Sequence, residues 1–163
     1  MKEAYFAGGC FWCLTPAFRA TEGVESVISG YSGGDEENPR YEDVKAQKTG
    51  HRETIRVIYD PQKVSFAELL DLYLHDVDPF DRGGQFIDRG HSYTLAVYWT
   101  DEAQKAASQE GIAALEARFG QKAAIALEPF KSFYPAEDYH QDYDLKNPEA
   151  FAEELRSSGR VKD

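Results

Sequence analysis

The chain of 163 residues carries two cysteines, and both stand in the stretch Gly8-Gly9-Cys10-Phe11-Trp12-Cys13. A Cys-x-x-Cys spacing permits a redox couple, a metal clip or two inert core thiols. A thiol at a strand-to-helix turn meets backbone N–H groups and the positive end of the helix dipole, which favour thiolate. An unperturbed thiol, with a pKa near ~8.5, is only a few per cent ionised at neutral pH. Bringing it to about 6.5 makes thiolate the main form. Cys13, one helical turn on, is placed to reach back and close a disulfide. A metal clip needs further ligands, yet there is no second cysteine pair, and His51, His75, His91 and His140 show no ligand-type spacing. Phe11 and Trp12 suit an apolar pocket beside the sulfur, sized for a group such as an S-methyl. For Phe11, ordinary core packing is an equal alternative.

These residues need elements to position them. Glu3 to Ala7 reads as a strand ended by Gly8-Gly9, and Thr15-Pro16 as the N-cap and first residue of a helix to about Ala20. Val24 to Tyr31 is a second strand, and Asn38-Pro39 opens a short helix carrying Tyr41. Glu53 to Tyr59 alternates, with Glu53, Ile55, Val57 and Tyr59 on one face and Thr54, Arg56 and Ile58 on the other. Glu53 is therefore expected on the apolar side, where burial disfavours its charged form. A solvated strand-end carboxylate is the bland alternative.

Ser65-Phe66-Ala67-Glu68 is a capping box that opens a helix with Phe66, Leu69, Leu70 and Tyr73 on one stripe. Pro79 to His91 is a Gly-rich loop of functional length, leading into a strand Ser92 to Thr100 with Tyr93 at its inward end. A helix over Asp101 to Phe119 and a strand over Ala123 to Leu127 follow. The segment from Phe133 to Asn147 reads as irregular, and Asn147-Pro148 starts a last helix to about Ser157. With no internal repeat or linker, residues 1–163 are expected to form a single domain. It is an α+β two-layer sandwich, a mixed sheet with flanking helices, ending in a long irregular C-terminal segment.

A net charge of −11 opposes affinity for nucleic acid or anionic lipid. No segment reaches the roughly 18 apolar residues of a membrane span. The first residues lack an apolar core and a cleavage site, so no signal peptide is expected and a reducing cytoplasm is.

The stretch Gly9-Cys10-Phe11-Trp12 resembles the active-site signature of the methionine sulfoxide reductase A family. The likeness runs on through Ser29-Gly30-Tyr31-Ser32-Gly33-Gly34, Asn38-Pro39-Arg40-Tyr41, Thr49-Gly50-His51-Arg52-Glu53 and Tyr59-Asp60-Pro61. It continues in Asp78-Pro79, Asp88-Arg89-Gly90-His91-Ser92-Tyr93 and Ala136-Glu137-Asp138-Tyr139-His140-Gln141. These blocks keep the family's order over nearly the whole chain.

The resemblance implies that family's ferredoxin-like fold and reduction of the S-epimer of methionine sulfoxide, free or in proteins. It implies thioredoxin, or dithiothreitol in its place, as electron donor, with no prosthetic cofactor or metal, and a monomer. By motif, Cys10 is the nucleophile, and Phe11 and Trp12 wall the methyl pocket. Tyr41, Glu53 and Tyr93 contact the sulfoxide oxygen, and Asp88 supports the site. Glu53 is then the general acid, and the two phenols are donors to developing charge. Where many relatives have Gly-x-Glu after Phe-Trp, this chain has Cys13-Leu14-Thr15, and no cysteine stands near its C-terminus. Cys13 is then the expected resolving thiol. A thioredoxin-like disulfide exchanger is the chief alternative, and it leaves Tyr41, Glu53, Asp88 and Tyr93 without a task. A module that only binds oxidised methionine is another. His140 is either structural or shapes the site.

Overall fold

The computed structural model describes residues 1–160. Residues 161–163, the end of the cysteine-free tail, lie outside them. Strand β1 (Lys2–Gly8) buries both of its faces from Ala4 onward, so it reads as a continuous apolar run and not as an alternating one. Ala4 and Phe6 face the main core, while Tyr5 and Ala7 face a second, aromatic cluster with Phe130 and Phe133.

Helix α1 (Phe11–Arg19) starts upstream of the expected Thr15-Pro16 boundary, with Cys10 as its N-cap and Pro16 inside it. Cys10 O accepts from the N–H groups of Cys13 (3.1 Å) and Leu14 (3.3 Å), which sets the first turn before the proline. At the sixth helical position Pro16 removes the N–H that would bond the carbonyl of Trp12 and sets its ring against that carbonyl, yet the helix continues through it to Arg19. The Pro-at-N1 signal was misleading because Phe11 is anchored from outside the helix.

Strand β2 (Val24–Ser32) precedes α2 (Tyr41–Lys45), and β3 (Arg52–Tyr59) has the expected face of Glu53, Ile55, Val57 and Tyr59 buried. The capping box forms at α3 (Phe66–Asp76): Glu68 N–H donates to Ser65 Oγ, and Ser65 N–H to Glu68 Oε1. The Gly-rich loop folds into a small hairpin of β4 (Gly84–Gln85) and β5 (Asp88–Arg89). Gln85 ties the hairpin base, donating to Asp78 O (2.8 Å) and accepting from Asp78 N–H (2.9 Å).

Tyr93 ends a 3-10 turn, His91–Tyr93, and strand β6 covers only Leu95–Trp99. Local bonds outcompete strand pairing there: Tyr93 N–H reaches Gly90 O, and the Thr94 hydroxyl reaches His91 O. Helix α4 (Glu102–Phe119) runs from an Asp101 cap to Gly120, and β7 (Ile125–Pro129) starts two residues later than expected. The tail is more ordered than its composition suggests. It holds β8 (Phe133–Pro135), a 3-10 turn at Asp138–His140, α5 (Tyr143–Lys146) and α6 (Pro148–Ser158).

The strands make a six-stranded mixed sheet in the order β7-β6-β1-β3-β2-β8. Only β6 and β7 are parallel; α4 supplies their crossover. The side chains of α1, α3 and α4 pack on the Ala4/Phe6 face, giving one α+β domain of two layers. The sheet thus presents Glu53, cross-strand from Tyr31, at the same end as the β1–α1 turn.

Candidate active site

The turn carrying the thiols is tight. Gly9 has φ +84°, and a Cβ there would lie 2.7 Å from the Gln85 side chain, so glycine is required for conformation and for space. The chain then enters α1, with Cys10 and Cys13 half-buried and unbridged.

All the residues expected at the site line one cavity of about 280 Å³: Cys10, Phe11, Trp12, Cys13, Tyr41, Glu53, Asp88 and Tyr93. Tyr41 comes from α2, Glu53 from β3, Asp88 from β5 and Tyr93 from the 3-10 turn. Lys45, Ile87 and the α6 residues Glu153, Glu154, Ser157 and Ser158 complete its wall. A larger cavity of about 470 Å³, between Gly33, Tyr98 and Glu128 to Lys131, contains no thiol and lies on the other face of the sheet.

Glu53 is 1% exposed. Its Oε1 accepts the Phe11 N–H (3.2 Å), while its Oε2 is buried with no partner among the described residues. Burial, only partly offset by the Phe11 N–H and reinforced by Asp88, pushes its pKa up to about 8. It is therefore a protonated acid at neutral pH. Burial and the proximity of Glu53 also push the Tyr41 and Tyr93 phenols upward, which keeps both as hydrogen-bond donors. Asp88 is likewise raised by its burial.

The thiols depart from the expectation for a helix N-terminus. Cys10 is pushed well up by its hydrogen bond to Cys13, by burial and by the carboxyls of Glu53 and Asp88. Cys13 is lowered by its bond from Cys10 and, against its own burial, by the Arg160 guanidinium.

Further residues position this set, and of the two roles open to His140 the structure shows one that shapes the site. His140 is 1% exposed and accepts the Trp12 Nε1–H at Nδ1 (3.1 Å), while Tyr143 stacks on Trp12 at 3.9 Å between ring centroids. His140 also packs against Tyr41 at 4.2 Å, and burial keeps it neutral. Glu137 fixes two tyrosines at once, accepting from Tyr31 OH (2.8 Å) and Tyr41 N–H (3.1 Å). Gln47 joins α2 to the Tyr93 turn by bonds to the Ser92 hydroxyl and N–H. The block Ala136 to Gln141 was a visible signal for part of this set. Arg160 gave none.

Among the described residues, no group of three or more His, Cys, Asp or Glu is arranged to hold a metal ion. No described helix is long and apolar enough to cross a membrane.

Comparison with known proteins agrees with this arrangement. The family model for peptide methionine sulfoxide reductase matches residues 2–162. A peptide methionine sulfoxide reductase MsrA 2 of Staphylococcus aureus is 46% identical over 161 residues, covering 98% of this chain and 91% of that protein. The MsrA of Streptococcus pyogenes is 46% identical over 155 residues, covering 94% of this chain and 92% of that protein. Among solved structures, reduced Mxr1 of Saccharomyces cerevisiae superposes with a TM-score of 0.86 at 29% identity, over 91% of this chain and 86% of that one. Methionine sulfoxide reductase A of Corynebacterium diphtheriae gives 0.81 at 30% identity, over 90% and 75%. With a family model spanning nearly every residue and relatives this similar over nine-tenths of their length, the chain belongs to the peptide methionine sulfoxide reductase family.

Proposed function

We propose that residues 1–163 act as one catalytic domain, a cytoplasmic monomer that reduces the S-epimer of methionine sulfoxide, free or within proteins. One observation carries the reading. A buried carboxylic acid with an unpartnered Oε2 faces the same small cavity as a reachable thiol and two neutral phenols. Sulfoxide sulfur is a weak electrophile until its oxygen is protonated or strongly hydrogen-bonded, and this wall supplies both acid and donors.

Phe11 and Trp12 hold the substrate methyl, and Tyr41 and Tyr93 donate to the sulfoxide oxygen, with Asp88 supporting the site. Cys10 attacks sulfur as its proton passes to Cys13, and Glu53 protonates oxygen. The hydroxyl passes from the methionine sulfur to the Cys10 sulfur as the S–S bond between them breaks, so methionine leaves and Cys10 carries S–OH. Cys13 passes its proton to the Glu53 carboxylate and attacks the sulfenic sulfur; hydroxide leaves with that proton as water, and a disulfide remains. Thioredoxin then reduces the disulfide, as dithiothreitol does in vitro, with no prosthetic group or metal needed. The yeast relative Mxr1 has been crystallised with Trx2, which supports this donor class.

The test is incubation with dithiothreitol and each epimer of a methionine sulfoxide substrate. Consumption of the S-epimer alone is expected; insulin reduction without sulfoxide turnover would return the chain to the disulfide-exchanger reading. With Cys13→Ser, one equivalent of methionine per protein is expected, and then a stall under thioredoxin. Sustained thioredoxin cycling would mean that Cys10 is reduced directly.

A further inference from the structure

The β4–β5 hairpin presents its tip to solvent beside the catalytic cavity. Gly84 has φ +149°, and a Cβ there would lie 2.2 Å from Asp88 O, so the two strands close on a glycine. Arg89 clasps the Asp81 carboxylate with both terminal nitrogens (2.6 and 2.7 Å) and donates to Phe86 O (3.1 Å). Phe86 takes φ +56°, a left-handed backbone rarely adopted by a bulky residue. Its half-buried ring packs 4.7 Å from the Arg160 guanidinium, itself fixed on Gly8 O (3.0 Å) and Asp76 O (3.4 Å). With the Phe86 ring held there, Ile87 stands outward, 62% exposed. A lone exposed apolar side chain is ordinary on a protein surface. Ile87 is set apart by its place: of the described exposed residues lining the cavity, Lys45, Glu153, Glu154 and Ser157 are polar, and Ile87 alone is apolar.

We propose that Ile87 is a specificity residue for protein-bound substrate, favouring a methionine sulfoxide that has an apolar neighbour in its own chain. This rests on the proposed reading of the cavity as the sulfoxide site. Only two methylenes separate the sulfur of methionine from its Cα, so a sulfoxide held at Cys10 leaves the substrate backbone at the cavity mouth. The residues on either side of it then pass the rim, one of them against the hairpin. A branched or aromatic side chain there covers Ile87 and removes apolar surface of both from water. The braced turn already orders Ile87, so little freedom is lost on contact. The facing wall of α6 offers no such gain, since it presents Glu154 and a Glu153 already paired with Arg156 (2.7 Å). Free methionine sulfoxide, having no neighbours, gains nothing from the hairpin tip.

The test uses acetylated, amidated tripeptides centred on methionine S-sulfoxide, with glycine on one side and leucine or serine on the other, in both orders, under dithiothreitol. The readout is the ratio of kcat/KM for the leucine peptide to that for the serine peptide. It cancels any change common to both, such as a displaced Asp88. Wild type is expected to favour leucine about tenfold at one of the two positions, mostly through KM, the lower end of what an apolar contact discriminates in an enzyme site. Ile87→Ser should bring that ratio near one, and Ile87→Leu should restore it. No preference at either position in wild type, or one that survives Ile87→Ser, overturns the proposal. A raised KM for thioredoxin with the peptide ratio unchanged also overturns it, since Ile87 would then serve the reductant. Calorimetric binding of the same peptides to Cys10→Ser protein keeps the two readings apart. If wild type reduces no sulfoxide while binding shows the Ile87-dependent ratio, the proposed function fails and the rim assignment stands.

Discussion

Two carboxyls, Glu53 and Glu137, sit among tyrosines on either side of Tyr31, and they behave in opposite ways. Glu137 gathers donors: its own backbone N–H, the Tyr31 hydroxyl and the Tyr41 N–H outweigh its burial and hold it below the usual carboxylate range. Glu53 receives one backbone N–H, and burial prevails, so it keeps its proton to about pH 8. One carboxyl is a brace that pins the tail to α2; the other is an acid aimed into a cavity. Depth of burial and the number of donors together decide which.

Removing the acid gives the largest effect. Glu53→Gln should slow single-turnover methionine release by about 10²–10⁴-fold. Wild-type rates should fall as pH rises past about 8 and the Glu53 proton is lost, and the variant should lack that limb. Single-turnover rates near wild type across pH would dissolve the contrast.

Stability should move the other way. The native state holds a proton on Glu53 that the unfolded chain releases near 4.5, so this proton's contribution is complete below that pH and is lost as pH climbs to about 8. At pH 9, Glu53→Gln is expected to be more stable than wild type, by on the order of 5 kcal/mol from the pKa difference. Denaturant midpoints at pH 4 and pH 9 measure it, and equal midpoints at pH 9 would show the wild-type carboxylate to be solvated.

Glu137→Gln should instead destabilise by about 1–3 kcal/mol above pH 5, because one of its two tyrosine partners loses a charged acceptor. That loss should shrink as acid protonates wild-type Glu137, and KM should rise more than kcat falls. A collapse of kcat with unchanged stability would move Glu137 from brace to acid. The smallest effect is expected from His140→Phe. It keeps the stacking on Tyr41 but removes the acceptor for Trp12, costing about 1 kcal/mol and raising KM several-fold, read by steady-state kinetics and Trp12 fluorescence.

Much of this contrast was legible in the chain. Alternation along β3 placed Glu53 inward, and the ordered blocks marked Tyr41, Asp88 and Tyr93. The capping box fixed the start of α3 because both of its bonds are local. What stayed hidden depended on distant partners. Trp12 and His140 are 128 positions apart, and nothing near either indicates which nitrogen meets which. Arg160 docks on backbone carbonyls, which every residue type possesses. Pro16 misled because Phe11 is held by Glu53, 42 positions away, and not by helix propensity. Period-two spacing places Tyr93 on a strand because it cannot register a turn led by Gly90.

Strand β1 occupies the middle of the sheet, paired on one side with β3 and on the other with β6. During synthesis it precedes both neighbours and cannot be enclosed until β6, which begins at Leu95, has also been made. Such long-range closure slows folding and lengthens the interval in which apolar strands are bare. Over that interval the nascent chain carries Cys10 as an ordinary exposed thiol, open to the oxidants that the mature enzyme exists to counter.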